Sequence, residues 1–375
     1  MDAGGSGSRR RLHEKDACAA HCPQSLHRGV SMNSNISRLA GLILASVFMI
    51  PGGALAAQAA DSRAKPAPAA GSPASATSRI VLLGTGGGPI ARIGRSQPAT
   101  LLQVGTRAYL IDVGEGTPRQ MVRAGVKPSA VDAVFFTHLH LDHTAGLMGF
   151  LALDWTDRRQ KPVEIYGPPG TQSLVHDTLQ ALKTGEVIYR LQIPGLPEMA
   201  SVFSGHDWEV TTAREVYRDG TITVRAVENS HYSTMQMPRT DHGIDRAYSY
   251  RFDMPGRSVV ITGDTGPSRA VEELARGADV LVSELIDLDS VIASLQARKA
   301  ATGVDQQPLI DHMEKEHLTP ENIGRLAAAA GVKRVVLTHF GTAPGVEAID
   351  RDAIIAGIRK HYQGPVDLGE DLAAY

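Results

Sequence analysis

The run Thr137-His138-Leu139-His140-Leu141-Asp142-His143 packs four side chains of metal-ligand type into six positions, directly behind the apolar stretch 131–136. Neither the 3.6-residue period of a helix nor the 2-residue period of a strand brings all four to one face, since strand alternation would align His138, His140 and Asp142 but turn His143 away. A loop at the tip of a buried strand can turn all four inward. Two imidazoles would then take one zinc ion, and the aspartate and third imidazole another. A solvated polar turn accounts for one such histidine, but not for four together.

Cysteine usage narrows the chemistry further. Cys18 and Cys22 lie in the first two dozen residues, and no thiol follows them. Any metal in the folded part must therefore sit on His, Asp or Glu. The Cys-Ala-Ala-His-Cys spacing around His21 lacks a second ligand pair and reads as part of a leader. That leader has a basic residue at Arg38, an apolar run of 12 residues from Leu39 to Ile50, a Pro51-Gly52-Gly53 break and a small-x-small site at Ala54-Leu55-Ala56. This is the pattern of an export signal starting at Met32 and cleaved near Ala56, which directs the product to the periplasm. Only an uncleaved signal would leave the chain inserted in a membrane. Residues 1–56 are thus expected as leader, and 57–78, rich in Ala, Pro and Ser, as linker.

Residues 79–375 read as one domain in which apolar runs alternate with helical patterns, an α/β arrangement. Strands are expected at 80–83, 101–104, 108–111, 131–136, 163–166, 222–227, 258–261, 280–283 and 335–337. Helices are expected from Pro118 to Gly125, over 171–183, over 320–330 behind a Thr319 cap, and over 348–361. Two strands end alike, in Thr137-His138 and Thr338-His339, which suggests two related halves facing one cleft.

Several further segments join the histidine run in a familiar order. They are Leu83-Gly84-Thr85-Gly86, Asp112-Val113-Gly114-Glu115-Gly116-Thr117 and, after a strand, Thr262-Gly263-Asp264-Thr265. Together these residues resemble the metallo-β-lactamase superfamily, and within it the tRNase Z and arylsulfatase branch, over nearly all of 79–375. The resemblance implies a four-layer αββα fold, with two mixed sheets sandwiched between helices. It implies two zinc ions, one on His138, His140 and His231 and one on Asp142, His143 and His339, with Asp264 bridging. His231 has undistinctive surroundings, and His242 is the alternative. Asp112 is expected to orient a ligand histidine from behind. Glu284 and His317, the latter 22 residues before His339, resemble the pair that delivers a proton to the leaving group in this branch. His176, His206, His312 and His361 read as ordinary surface or core histidines.

The expected chemistry follows from the metals. A hydroxide held between two zinc ions attacks an oxyanion ester, with Asp142 accepting a proton and His317 supplying one. Aryl sulfates and phosphodiesters suit such an acid better than lactams. A lactonase or β-lactamase is the alternative hydrolase, and a non-catalytic zinc-binding module the alternative outside enzymes. Net charge is −2, and residues 150–230 hold 8 Lys or Arg against 11 Asp or Glu, a poor grip on phosphates. With the export signal, this leads to a small-molecule ester as the expected partner and no nucleic acid. A homodimer is left open.

Overall fold

The computed structural model describes residues 77–375, so the expected leader, the expected cleavage site near Ala56 and the expected linker up to residue 76 lie outside the described residues. The first sheet holds β1 Ser78–Gly84, β2 Ala99–Val104, β3 Arg107–Ile111, β4 Ala133–Phe135, β5 Val163–Gly167 and β6 Phe203–Asp207 in that spatial order. Its first two pairings are antiparallel and its last three parallel. Helices α1 Thr117–Arg123, α2 Leu141–Thr144, α3 Leu147–Thr156 and α4 Thr171–Gln192 lie in its connections.

The second half begins with β7 Arg214–Arg218 and β8 Thr223–Glu228, followed by the short hairpin β9 Arg239–Thr240 and β10 Gly243–Ile244. Then come β11 Tyr248–Met254, β12 Arg257–Ile261, α5 Arg269–Ala275 and β13 Val280–Ile286. After these follow α6 Leu288–Thr302, α7 Gln307–Glu316, α8 Pro320–Ala330, β14 Val335–Gly341, α9 Arg351–Arg359 and β15 Val366–Leu368. The sheet order is β7-β8-β11-β12-β13-β14-β15, again antiparallel first and parallel after.

Side-chain alternation builds the layers. In β1, Ile80 and Leu82 join the core shared by the two sheets, while Val81 and Leu83 face the helices of the first half. In β12 and β13, Val259, Ile261, Val280 and Val282 enter the same central core, and Val260 and Leu281 pack under the second helical layer. Three apolar layers therefore separate four structural ones, giving the αββα sandwich. Strands buried on both faces read as continuous apolar runs, which is why these were legible. Phe135 anchors the centre, its ring 5.3 Å from Tyr217 and 5.6 Å from Phe252, both edge-on.

The helix boundaries follow local chemistry. Thr319 caps α8 by accepting the Asn322 N–H, Pro320 sits in its first turn, and Gly331 ends it at φ +64°. Helix α4 runs nine residues past the expected stop at Lys183, to Gln192. Pro194 disfavours helical backbone at the residue before it, and Ile193 is accordingly non-helical. The 348–361 pattern forms a helix only from Arg351, where the Asp350 side chain caps the Ala353 N–H. Strand β1 starts at Ser78, one residue before the expected domain start.

Candidate metal centre

The chemistry-bearing residues meet at the carboxyl ends of the strands, where open α/β sheets leave room for ligands. Asp112 follows β3, His138 follows β4, His231 follows β8 and Asp264 follows β12, while Glu284 and His339 lie within β13 and β14. Asp142 and His143 occupy the single turn α2, and His317 closes α7. Asp112 and His339 adopt positive φ, +59° and +47°, a backbone state that costs energy in non-glycine residues and clusters at functional sites.

Two sets emerge. In the first, His140 Nδ1 lies 3.1 Å from His138 Nε2 and 3.2 Å from His231 Nε2. The far side of each partner ring is already engaged: His138 Nδ1 lies 3.1 Å from the Thr137 hydroxyl, and His231 Nδ1 donates to the Glu316 carbonyl at 3.0 Å. Both Nε2 atoms therefore present lone pairs to the same small space. Burial first, and neighbouring imidazoles second, hold His138 well below its ordinary value; burial likewise lowers His231. Neutral imidazoles converging by their lone pairs suit a cation.

In the second set, Asp142, His143, Asp264 and His339 are all buried, with ligand-type atoms within 4.8 Å of one another. His143 Nε2, Asp264 Oδ1 and both ring nitrogens of His339 are buried without a hydrogen bond among the described residues. Native interiors seldom leave polar atoms in that state, and a bound metal would satisfy them. Burial alone would lower His143 and His339, but the carboxylates of Asp264 and Asp142 outweigh it. His143 stands well above its ordinary value and His339 is raised to about 10. Asp264 joins the sets, with Oδ2 3.1 Å from His339 Nε2 and 3.9 Å from both His138 Nε2 and His231 Nε2.

Asp112 stands directly behind. Its Oδ1 accepts the Thr137 N–H at 2.8 Å, and its Oδ2 accepts the Thr137 hydroxyl and His143 Nδ1, each at 2.9 Å. The His143 proton is thereby fixed on Nδ1 and Nε2 is turned into the site. On the other flank, His317 Nδ1 lies 2.7 Å from Glu284 Oε2, and the His317 ring is 6.2 Å from that of His339 and 4.9 Å from that of His231. Burial alone would lower His317; the Glu284 carboxylate, with Asp264 beyond it, lifts it above 6.5.

The residues outside these sets divide. His242 bonds Asp245 beside the β9–β10 hairpin and lies outside both sets, whereas His231 lies inside one. His206 pairs with Glu164 on the surface, His176 is exposed and His361 faces Glu321. His312, expected to be ordinary, stands beside the centre, 5.1 Å from the His231 ring and bonded to the buried Glu316. The sequence reading also gave no role of their own to Thr137 and Glu316. The i,i+4 spacing of His312 and Glu316 on one helix face was the available signal.

A paired His/Asp centre at the strand tips of an αββα sandwich defines a metal-dependent hydrolase. Residues 107–340 match the family described as beta-lactamase superfamily domain. A ribonuclease Z of Mycobacterium avium is 31% identical over 302 residues, covering 78% of this chain and 96% of that protein. Among solved structures, the metallo-β-lactamase fold protein YhfI from Bacillus subtilis superposes with a TM-score of 0.55 at 17% identity, over 80% of this chain and 98% of that one. The short form of human tRNase Z gives 0.54 at 23% identity, over 79% and 98%. The chain belongs to the metallo-β-lactamase superfamily, in its ribonuclease Z branch.

That kinship corrects the expected partner. Relatives named as ribonucleases span most of this chain, so the exclusion of nucleic acid does not stand and the small-molecule ester is withdrawn. The segment 150–230 was weighed by its formal charge alone. The field at a site of this kind is set by the metals it holds, often the largest local charges present.

Proposed function

We propose that this chain is a dizinc phosphodiesterase that cleaves RNA. The observation that carries the reading is Asp264, whose carboxylate faces two complete ligand sets while the His317–Glu284 pair flanks them. His138, His140 and His231 would hold one zinc, Asp142, His143 and His339 the other, and Asp264 both. Bound zinc supplies a water of lowered pKa and offsets the charge that builds on a phosphoryl group.

The chain's own residues do the rest. Asp142 Oδ2 accepts the Gly88 N–H at 3.0 Å, which fixes the carboxylate where it can take the proton of the attacking water. Asp112 keeps His143 in the tautomer that faces the site. His317, with Nδ1 tied to Glu284, offers its opposite nitrogen as the acid for the departing alkoxide. Asp264 as shared ligand sets the separation of the two sets.

Kinship with ribonuclease Z enzymes supports RNA over the aryl sulfate that the same site chemistry would accept. The test is one panel: an RNA oligonucleotide, bis(p-nitrophenyl) phosphate, an aryl sulfate, a lactone and a β-lactam, each with and without chelator, alongside zinc analysis. Chelator-sensitive cleavage of RNA and the phosphodiester, with about two zinc ions per chain, is expected. Turnover of the aryl sulfate alone would overturn the reading. We also propose that residues 1–56 are removed during export, leaving the 57–78 linker ahead of the catalytic domain in the periplasm. N-terminal sequencing of the protein recovered from cells tests this, and an intact Met32 or Met1 terminus would refute it.

A further inference from the structure

One imidazole at the centre has no part in the function proposed above. His312 lies in α7, one turn before its last residue Glu316, and its side chain is only 13% exposed. Its Nδ1 bonds Glu316 Oε2. Glu316 is fully buried, and its other oxygen accepts the Thr234 N–H and, at 3.2 Å, the Ser233 hydroxyl. A carboxylate filled by three donors does not move, so the ring it holds is fixed as well. With Nδ1 donating to Glu316, Nε2 is left as an acceptor, and it has no hydrogen-bond partner among the described residues.

The surroundings of the His312 ring are specific. The His312 ring is 5.1 Å from His231, 5.3 Å from His317 and 6.4 Å from His140. One ring nitrogen from each of His231, His312 and His317 lies within 4.8 Å of the others. His231 belongs to the first ligand set and His317 to the acid pair, so His312 alone is unassigned. The two neighbours share one construction, an imidazole tied through Nδ1 to a buried glutamate: His317 to Glu284, His312 to Glu316.

We propose that His312, oriented by Glu316, accepts a hydrogen bond from the ribose 2′-hydroxyl of the departing nucleotide and so makes the site selective for RNA over DNA. The proposal rests on the reading of this centre as an RNA phosphodiesterase. Ribose carries O2′ and O3′ on adjacent carbons. When water attacks phosphorus and the P–O3′ bond breaks, O3′ takes the His317 proton, and the neighbouring hydroxyl falls to the adjacent imidazole. The 2′-hydroxyl is the group by which a protein tells RNA from DNA at a given site. A site built to bond a hydroxyl discriminates against the analogue lacking it, because its own buried polar group is then left unpaired.

The experiment maps the cleaved bond in an RNA oligonucleotide, then compares it with the same strand carrying one 2′-deoxy or 2′-O-methyl nucleotide on the O3′ side of that bond. The zinc-loaded full chain is used as wild type, His312→Phe, His312→Asn and Glu316→Gln, with zinc content and Tm measured for each. The wild type is expected to prefer the all-ribose strand by about tenfold in kcat/KM, the worth of one good hydrogen bond. Both His312 variants should bring that ratio close to one while keeping their zinc, and Glu316→Gln should reduce it. A merely structural role for His312 would slow both strands alike and leave the ratio intact, overturning the proposal. Equal cleavage of both strands by the wild type would overturn it too. Hydrolysis of bis(p-nitrophenyl) phosphate without cleavage of either strand would refute this proposal together with the RNA assignment; no phosphodiester turnover at all would refute the function itself. The substrate-side comparison in the wild type keeps the test decisive even where a variant fails to fold.

Discussion

The two candidate ligand sets sit side by side and are built on opposite electrostatic plans. The set of His138, His140 and His231 has no carboxylate of its own. Its rings are braced by neutral acceptors, the Thr137 hydroxyl and the Glu316 carbonyl, and burial keeps His138 and His231 unprotonated. The set of Asp142, His143 and His339 is charged, braced by the Asp112 carboxylate, and its histidines are raised by Asp264 and Asp142. The first is ready for a cation as it stands. The second exchanges protons for one. Asp264, within 3.9 Å of both, makes a single centre of two unlike halves.

The most severe way to break the comparison is to remove what the halves share. Asp264→Asn, or exhaustive chelation of the wild type, should lower phosphodiester turnover by roughly 10³-fold or more, since metal stabilisation of the transition state is worth several kcal/mol. The same substitution should reduce bound zinc from about two per chain, and unaltered zinc content and rate would remove Asp264 from the centre. Next comes His317, which belongs to neither set. His317→Ala should slow an alkyl phosphodiester by about 10²-fold, the usual worth of a positioned acid, and barely affect a p-nitrophenyl ester whose leaving group needs no proton. Equal losses on the two substrates would show that His317 only supports the fold.

What the sequence disclosed divides along physical lines. Strands buried on both faces, such as β1, β12 and β13, stand out as apolar runs, and helix α8 carries its own cap and stop. By contrast α6 has a single buried side chain, Leu295, and no clear apolar stripe to read, while β7, at the sheet edge, buries no side chain and carries Arg214, Glu215 and Arg218 exposed. The charged residues of β11, Arg251 and Asp253, interrupt what would otherwise be an apolar run. At the centre, the clustered His138–His143 residues are local in the chain and could be read directly. Asp264, His339 and His317 are assembled by topology, and were reached through a family resemblance. Glu316 and Thr137 act by orienting other side chains, and only the i,i+4 spacing of His312 and Glu316 hints at such a contact in the chain. His312 was set aside because a lone histidine is more often an ordinary one.

Asp112 separates the two sets by a smaller margin. It bonds His143 directly but reaches His138 only through Thr137. Asp112→Asn should weaken zinc binding at the charged set about 10- to 100-fold, as loss of an orienting carboxylate does, and weaken the neutral set less. Stepwise zinc titration against a chromophoric chelator reads the two steps, and an equal loss at both would contradict the geometry.

The gentlest probe leaves every residue in place and counts protons. The carboxylates of Asp264 and Asp142 raise His143 well above its ordinary value and His339 to about 10, so His143 favours its charged form and His339 carries a proton at pH 7.5. His138 and His231, lowered by burial, do not. A metal ligand must be unprotonated. Zinc entering the charged set should therefore release protons, and its affinity should rise with pH until the ligands' own pKa values are passed. Entry into the neutral set should release almost none at this pH and show a nearly flat affinity above it. Calorimetric titration in buffers of different ionisation enthalpy measures the protons released at each step. Two steps with the same release would mean that the sets are electrostatically alike, and that the division between them does not survive metal binding.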